Sequence, residues 1–238
     1  MNRDARWTEL LEEVALQRQC LDMMNGGWIG EYSARGGVIY CARGCHGCCS
    51  LTVNCTLTEA VALAEVLDEA QLAAVHAYAG RLRELAATVG DMKGYLQMQR
   101  RDMGMCPLLA HDGACGVYGS RPLTCRSLLS TKERYWCAVD FATIPPDEKA
   151  QYIASLDRSV AAFPLHYVAS AQETGRELET RQLAHMQELF GFSCYGCMPV
   201  LVALVHGHGL AAAATREQAE RLVSGAGFAN PLLVSMLP

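Results

Sequence analysis

Apolar residues recur at helical spacing along most of the chain. In residues 4–24, Trp7, Leu10, Leu11, Val14 and Leu21 share one helical face, and Asn25-Gly26-Gly27 is expected to stop the helix. After a cysteine-rich stretch, Thr56-Leu57-Thr58-Glu59 has the form of a capping box, in which hydroxyl and carboxylate satisfy free amides at a helix start. The helical pattern then runs on to about residue 90, with a break expected near Asp68 because so long a single helix is unusual in a compact domain. Further helices are predicted at 147–159, 164–173 and 176–190. A last pair follows at 199–206 and 216–223, the latter with Thr215 and Gln218 placed for a second capping box.

Residues 106–125 read differently. Two short apolar runs flank Asp112-Gly113, a pairing that favours a tight turn, so a small hairpin is predicted with Cys106 on one arm and Cys115 on the other. Pro122 then suits the opening of a short helix containing Cys125. The expected fold class is mainly α: a helical domain with a small β-hairpin and cysteine-rich metal-binding loops. Residues 144–148 are the expected seam between a cysteine-cluster domain at 1–143 and a helical C-terminal subdomain at 144–238 packed on it. No fixed-period repeat is visible.

With 51% apolar and 19% charged residues in 238, the chain has material for a substantial core. The formal net charge of −5 and the lack of a basic block argue against nucleic acid as a partner. The charged N-terminal stretch has no apolar core of a signal peptide, and the apolar run from Met198 is broken by His206-Gly207-His208-Gly209. The expectation is a cytoplasmic protein with no membrane partner. In a reducing compartment, 12 cysteines favour metal chemistry over disulfide staples.

Seven of these fall into two groups: Cys41, Cys45, Cys48 and Cys49, then Cys106, Cys115 and Cys125. Loops with two or three residues between thiols let several sulfurs converge on one centre. Gly44 and Gly47 allow the backbone to wrap tightly and to aim amides at the sulfurs. Adjacent Cys48 and Cys49 either serve one centre or point in opposite directions.

"CARGCHGCC" followed by "CPLLAHDGACGVYGSRPLTCR" resembles the YkgJ-type CxxCxxCC cysteine-cluster family, a zinc- or iron-chelating domain. The second half matches at Cys106, Pro107, Cys115, Tyr118, Arg121, Pro122, Cys125 and Arg126. In the first half Cys45, Cys48 and Cys49 carry over, whereas Cys41 and Cys45 are separated by three residues instead of two. The resemblance covers residues 41–127. It implies a bound iron–sulfur cluster or zinc, and some relatives look like cluster-dependent protein-methylating enzymes; the expected function is a cluster-dependent enzyme, methyl-transfer or redox, acting on a protein or peptide.

Zinc takes four sulfur or nitrogen ligands, and a [4Fe–4S] cluster takes four thiolates, commonly a short-spaced run plus a distant cysteine. Seven thiols exceed the need of one zinc ion, which favours the cluster. Arg121 and Arg126 flank Cys125 and are candidates for offsetting the cluster's negative charge, with Arg43 in the first loop. The alternatives are a non-enzymatic zinc- or iron-binding module and a thiol–disulfide oxidoreductase. The latter would centre on Cys194 and Cys197, a second CxxC whose role is open between metal, redox and packing. Cys20, Cys55 and Cys137 read as core residues, and Tyr118 as packing beside Cys115. His206 and His208, two apart, point to different helix faces. No P-loop, Ser-His-Asp order or HExxH motif is present.

Overall fold

The first helix runs further than its glycines predict. In the computed structural model, which describes residues 5–237, α1 (Ala5–Ala34) passes straight through Asn25-Gly26-Gly27. The predicted start at Asp4 lies outside the described residues. Two helical glycines cost about 1 kcal/mol each, so tertiary contacts must hold this segment. The buried Asn25 amide donates to the Arg126 carbonyl at 3.1 Å and the Tyr32 hydroxyl donates to Asp157 at 3.1 Å; within the helix, Trp28 stacks on Tyr32 at 4.9 Å.

The long pattern after the cysteine run breaks where expected. Helix α2 (Leu57–Ala64) ends before Asp68, which caps α3 (Glu69–Ala86) through a reciprocal box with Gln71. At the start of α2 only half of the predicted box forms: the Thr56 hydroxyl accepts from the Glu59 N–H at 3.1 Å, but the Glu59 carboxylate turns away to a different helix. Helix α4 (Met92–Met98) runs into a π-helical turn at Gln99–Met103. Two five-residue helices follow, α5 (Leu123–Ser127) and α6 (Arg134–Ala138), and then α7 (Pro146–Ala154).

Of the predicted helix at 164–173 only residues 169–173 are helical, as the start of the next helix. Residues 160–168 instead make single bridges, Ala161 with Val168 and Tyr167 with Ser130. Helix α8 (Ala169–Phe190) then runs unbroken through Gly175, where a Cβ would stand 2.8 Å from the Ser127 Cβ; the glycine is there for close approach to α5. Helices α9 (Met198–His208) and α10 (Arg216–Gly225) complete the ten helices of the described residues. At α10 the Thr215 hydroxyl accepts from the Gln218 N–H at 3.4 Å, while the Gln218 side chain accepts from Ala214.

A three-stranded antiparallel sheet was not foreseen: β1 (Asn54–Thr56), β2 (Ser193–Cys197) and β3 (Val234–Leu237), in that order. Asn54 pairs with Cys197 and Gly196 with Val234. Strands this short carry too few residues to show a period of two. One core runs from Trp7 and Leu10 through α2, α3 and the wholly buried Val200–Leu204 stretch of α9 to Leu233, so residues on both sides of the 144–148 seam share it. The fold is mainly α-helical, and no described helix is long and apolar enough to cross a membrane.

Candidate metal centre

Backbone hydrogen bonds lace the first cysteine loop to the chain around α5 and α6. The Tyr40 N–H donates to the Ser130 carbonyl at 3.0 Å, and the Ser130 N–H donates to the Cys41 sulfur at 3.1 Å. Gly44, with φ of +93°, turns the chain in a conformation that side-chain-bearing residues avoid, and the Cys45 N–H closes onto Ala42 at 3.0 Å. A 3₁₀ turn at Gly47–Ser50 then presents Cys48 and Cys49. This turn rests directly on α6: a Cβ on Gly47 would lie 2.8 Å from the Arg134 carbonyl and 2.9 Å from the Cys137 Cβ.

The second group is tied to the first by the Cys106 N–H, which donates to the Cys49 carbonyl at 2.8 Å. The predicted hairpin is reduced to a single bridge between Leu109 and Cys115. It closes through Ala110 N–H to Ala114 O at 2.8 Å, Gly116 N–H to Leu108 O at 2.9 Å, and an Asp112 side chain that accepts from Ala114. Pro122 sits at the N-cap of α5, one position before the helix proper, and Cys125 lies in its first turn.

These turns bring Cys41, Cys45, Cys48 and Cys125 to the wall of one cleft of about 350 Å³, with Arg121 and Arg126 beside them. The glycine-bearing half of α1 forms the other wall through Asp22, Asn25 and Gly26. Cys41, one residue out of step in spacing, therefore faces the same space as Cys45 and Cys48. Cys49, Cys106 and Cys115 do not line this cleft. The Cys49 thiol is hydrogen-bonded to Cys48, and Cys106 lies within electrostatic range of Cys48, Cys115 and Cys197.

The two arginines differ in role. Arg126 is buried and wholly engaged: its guanidinium donates to Asp22, to the Gly119 carbonyl and, at 2.8 Å, to the Arg121 carbonyl. It fixes the shape of the 119–126 segment. The Arg121 guanidinium stacks 3.6 Å from the centre of the Tyr118 ring, and its charge reaches the thiols of both Cys48 and Cys125. Tyr118 thus positions an arginine and does not simply pack beside Cys115.

Burial pushes the Cys41 thiol up to about 11, and the hydrogen bond that the Cys48 S–H donates to Cys49, together with burial, pushes Cys48 higher still. Burial likewise holds Cys125 well above its ordinary range. In the metal-free chain these thiols keep their protons, so binding a cation displaces them to solvent and weakens as pH falls.

Two buried carboxylates support α5 from behind, and sequence reading missed both. Glu59, placed in an otherwise apolar run, accepts from the Leu123 N–H at 2.8 Å and so caps the helix that carries Cys125. Glu179 accepts from the Thr124 hydroxyl at 2.6 Å and from Tyr195 at 3.4 Å. A carboxylate within the apolar stretch after Thr56 was the one available signal; Glu179, on an amphipathic helix, offered none.

Burial raises Glu179 to about 7, with the charge of Glu59 adding to it. A raised carboxyl means the folded state holds the proton more tightly than the unfolded chain. Its contribution to stability is full below the ordinary value of 4.5 and is lost as pH rises through about 7. The shift corresponds to about 3 kcal/mol. Glu179→Gln, which keeps an acceptor for Thr124, is expected to have a Tm that falls less than wild type between pH 5 and pH 8. Parallel Tm–pH curves for the two proteins would show that Glu179 does not titrate in this window.

Fold and geometry define a mainly helical protein with a cysteine cluster around an open, thiol-lined cleft. Residues 40–142 match the CxxCxxCC family model, described as "Putative zinc- or iron-chelating domain", the family that the motifs resemble. The residues on either side of that segment lie outside the match. No curated protein matches the chain, and no solved structure does. The donor set suits a thiophilic metal, since all 12 cysteines are free thiols and four face one cavity. Among the described residues no three His, Cys, Asp or Glu side chains stand close enough together to hold an ion.

Proposed function

We propose that this chain binds an iron–sulfur cluster of the [4Fe–4S] type in the cleft, through Cys41, Cys45, Cys48 and Cys125. The observation that carries the reading is the size of the space they share. A single zinc ion with bonds of about 2.3 Å draws its sulfurs to about 3.8 Å from one another, and the cleft whose wall these four thiols share with other residues, about 350 Å³, has room for a larger centre. A short-spaced run plus one distant cysteine is also a ligand arrangement that clusters use. Arg121 lies where its charge offsets that of a four-thiolate centre.

When bound, such a cluster supplies electron-transfer or Lewis-acid chemistry. The chain's own residues do the rest. Arg126 and Asn25 lock α1 against α5, Gly26 adds no side chain to the opposite wall, and the cleft stays open at the surface. An open cleft gives a substrate's reacting group a path to the centre. An enzymatic role, methyl transfer or redox chemistry on a protein or peptide, requires such a path.

Anaerobic purification followed by iron, acid-labile sulfide and zinc analysis tests the reading. Iron and sulfide in equal amounts, with broad visible absorption that bleaches on reduction, are expected. Zinc in the cleft without sulfide would replace the cluster by a zinc-binding module.

A further inference from the structure

Cys194 and Cys197, three apart on β2, point to opposite faces of the sheet and form no dithiol pair, which leaves an oxidoreductase centred on them without a structural basis. His46 is another residue that the cleft does not explain. It stands between Cys45 and Cys48, where a histidine is an ordinary candidate for a metal ligand. The structure gives both of its ring nitrogens other partners. Nδ1 lies 3.3 Å from the Gly44 carbonyl oxygen, which only accepts, so Nδ1 carries the proton. Nε2 then holds the lone pair and accepts from the guanidinium of Arg134, a group that only donates.

The ring is packed as well as bonded. A Cβ on Gly113, whose φ is +81°, would stand 2.9 Å from Nδ1 and 3.0 Å from Cε1, so the tip of the Asp112-Gly113 turn sits against the imidazole. One side chain thus touches three separate segments: the first cysteine loop, α6 through Arg134, and the turn between Cys106 and Cys115. Arg134 holds the loop at a second point, because its carbonyl and its side-chain stem lie against Gly47. His46 itself does not line the cleft.

We infer that His46 is a positioning residue for the metal centre. It is an imidazole latch that holds the first cysteine loop against α6 and the second cysteine segment, and it coordinates no metal itself. The inference rests on the proposed reading in one respect, that Cys41, Cys45 and Cys48 hold the metal; it is the same for an iron–sulfur cluster and for zinc. Cys41 is anchored by Ser130 and Leu128, and Cys48 lies in the turn that rests on α6. The Gly44 turn between them, which carries Cys45, is tied to α6 through His46. An outer partner that fixes a ligand loop slows the loss of metal without changing the ligand atoms.

The test uses the full chain, loaded anaerobically with iron and sulfide, or with Zn²⁺ if zinc is the metal it takes, and follows release of the metal to excess EDTA. His46→Ala and Arg134→Met, which keeps an unbranched stem against Gly47, should each release metal about tenfold faster than wild type. The double variant should be no faster than His46→Ala, because the bond that Arg134→Met removes is already broken. The visible spectrum of iron-loaded His46→Ala should match wild type. Its metal-free Tm should move by less than about 2 °C, the scale of a substitution outside the core.

Release as slow as wild type from either single variant would overturn the latch, and so would a double variant faster than His46→Ala. A changed visible spectrum would overturn it by making His46 a ligand. A metal-free Tm that falls further would overturn it by making the effect one of general stability. Zinc uptake without sulfide would sink the cluster reading, and the zinc release rates would then decide the latch alone. A chain that takes up neither metal would overturn both.

Discussion

Cys125→Ser protein is expected to retain less than about a tenth of the wild-type iron and sulfide, while Cys20→Ser retains both in full. Cys125 is the one cleft thiol delivered from outside the first loop, so it closes the ligand set from the opposite side. Serine occupies nearly the same volume but offers a hard oxygen that holds its proton, a poor partner for iron in a sulfide core. Cys20 lies on α1 outside the cleft lining, its thiol 3.8 Å from the Met24 sulfur. The contrast therefore separates ligation from a general effect of losing a thiol. Far-UV circular dichroism should match wild type, because Glu59 still caps α5 through Leu123. A Cys125→Ser protein with undiminished iron and sulfide would remove Cys125 from the centre and the cleft from the proposal.

The second large effect falls on a residue with no side chain. Gly47→Ala is expected to destabilise the protein by about 1–3 kcal/mol, the usual range for overpacking, lowering Tm by about 2–10 °C for a chain of this size. The new Cβ would meet the Arg134 carbonyl at 2.8 Å, and backbone cannot swing aside as a side chain can. Relief requires the 3₁₀ turn to lift from α6, which moves Cys48 and Cys49 with it, so metal content should fall alongside stability. Gly27→Ala is the matched comparison. Nothing lies within 4 Å of a Cβ there, and alanine favours the helix by about 1 kcal/mol, so that variant should gain stability. Equal melting temperatures for Gly47→Ala and wild type would mean that the turn does not rest on α6 as described.

Several elements were legible in the chain because their causes are local. The Asp68 break needs only a side chain that accepts from an amide three residues on, and the structure has that bond at 2.8 Å. The Asp112-Gly113 turn likewise depends on a glycine that takes a φ of +81°. What misled were residues whose partners are distant. Asn25-Gly26-Gly27 looks like a stop, yet α1 continues because Asn25 finds the Arg126 carbonyl 101 residues away. Glu59 looks like half of a capping box, but its carboxylate caps α5. The break expected between 173 and 176 vanished because Gly175 serves contact with Ser127.

The same division holds at the candidate centre. The sequence alone determined that thiols dominate the chemistry: residue type and close spacing decide donor softness and put several sulfurs on one flexible loop, whatever the rest of the chain does. Only the tertiary structure decided how they are shared out. Cys41 faces the cleft through hydrogen bonds to Ser130 and Leu128, Cys125 reaches it on a helix set by two buried carboxylates, and Cys106 lines a small separate cavity with Cys197. Spacing along a chain sets which thiols can meet. Packing between segments a hundred residues apart sets which ones do.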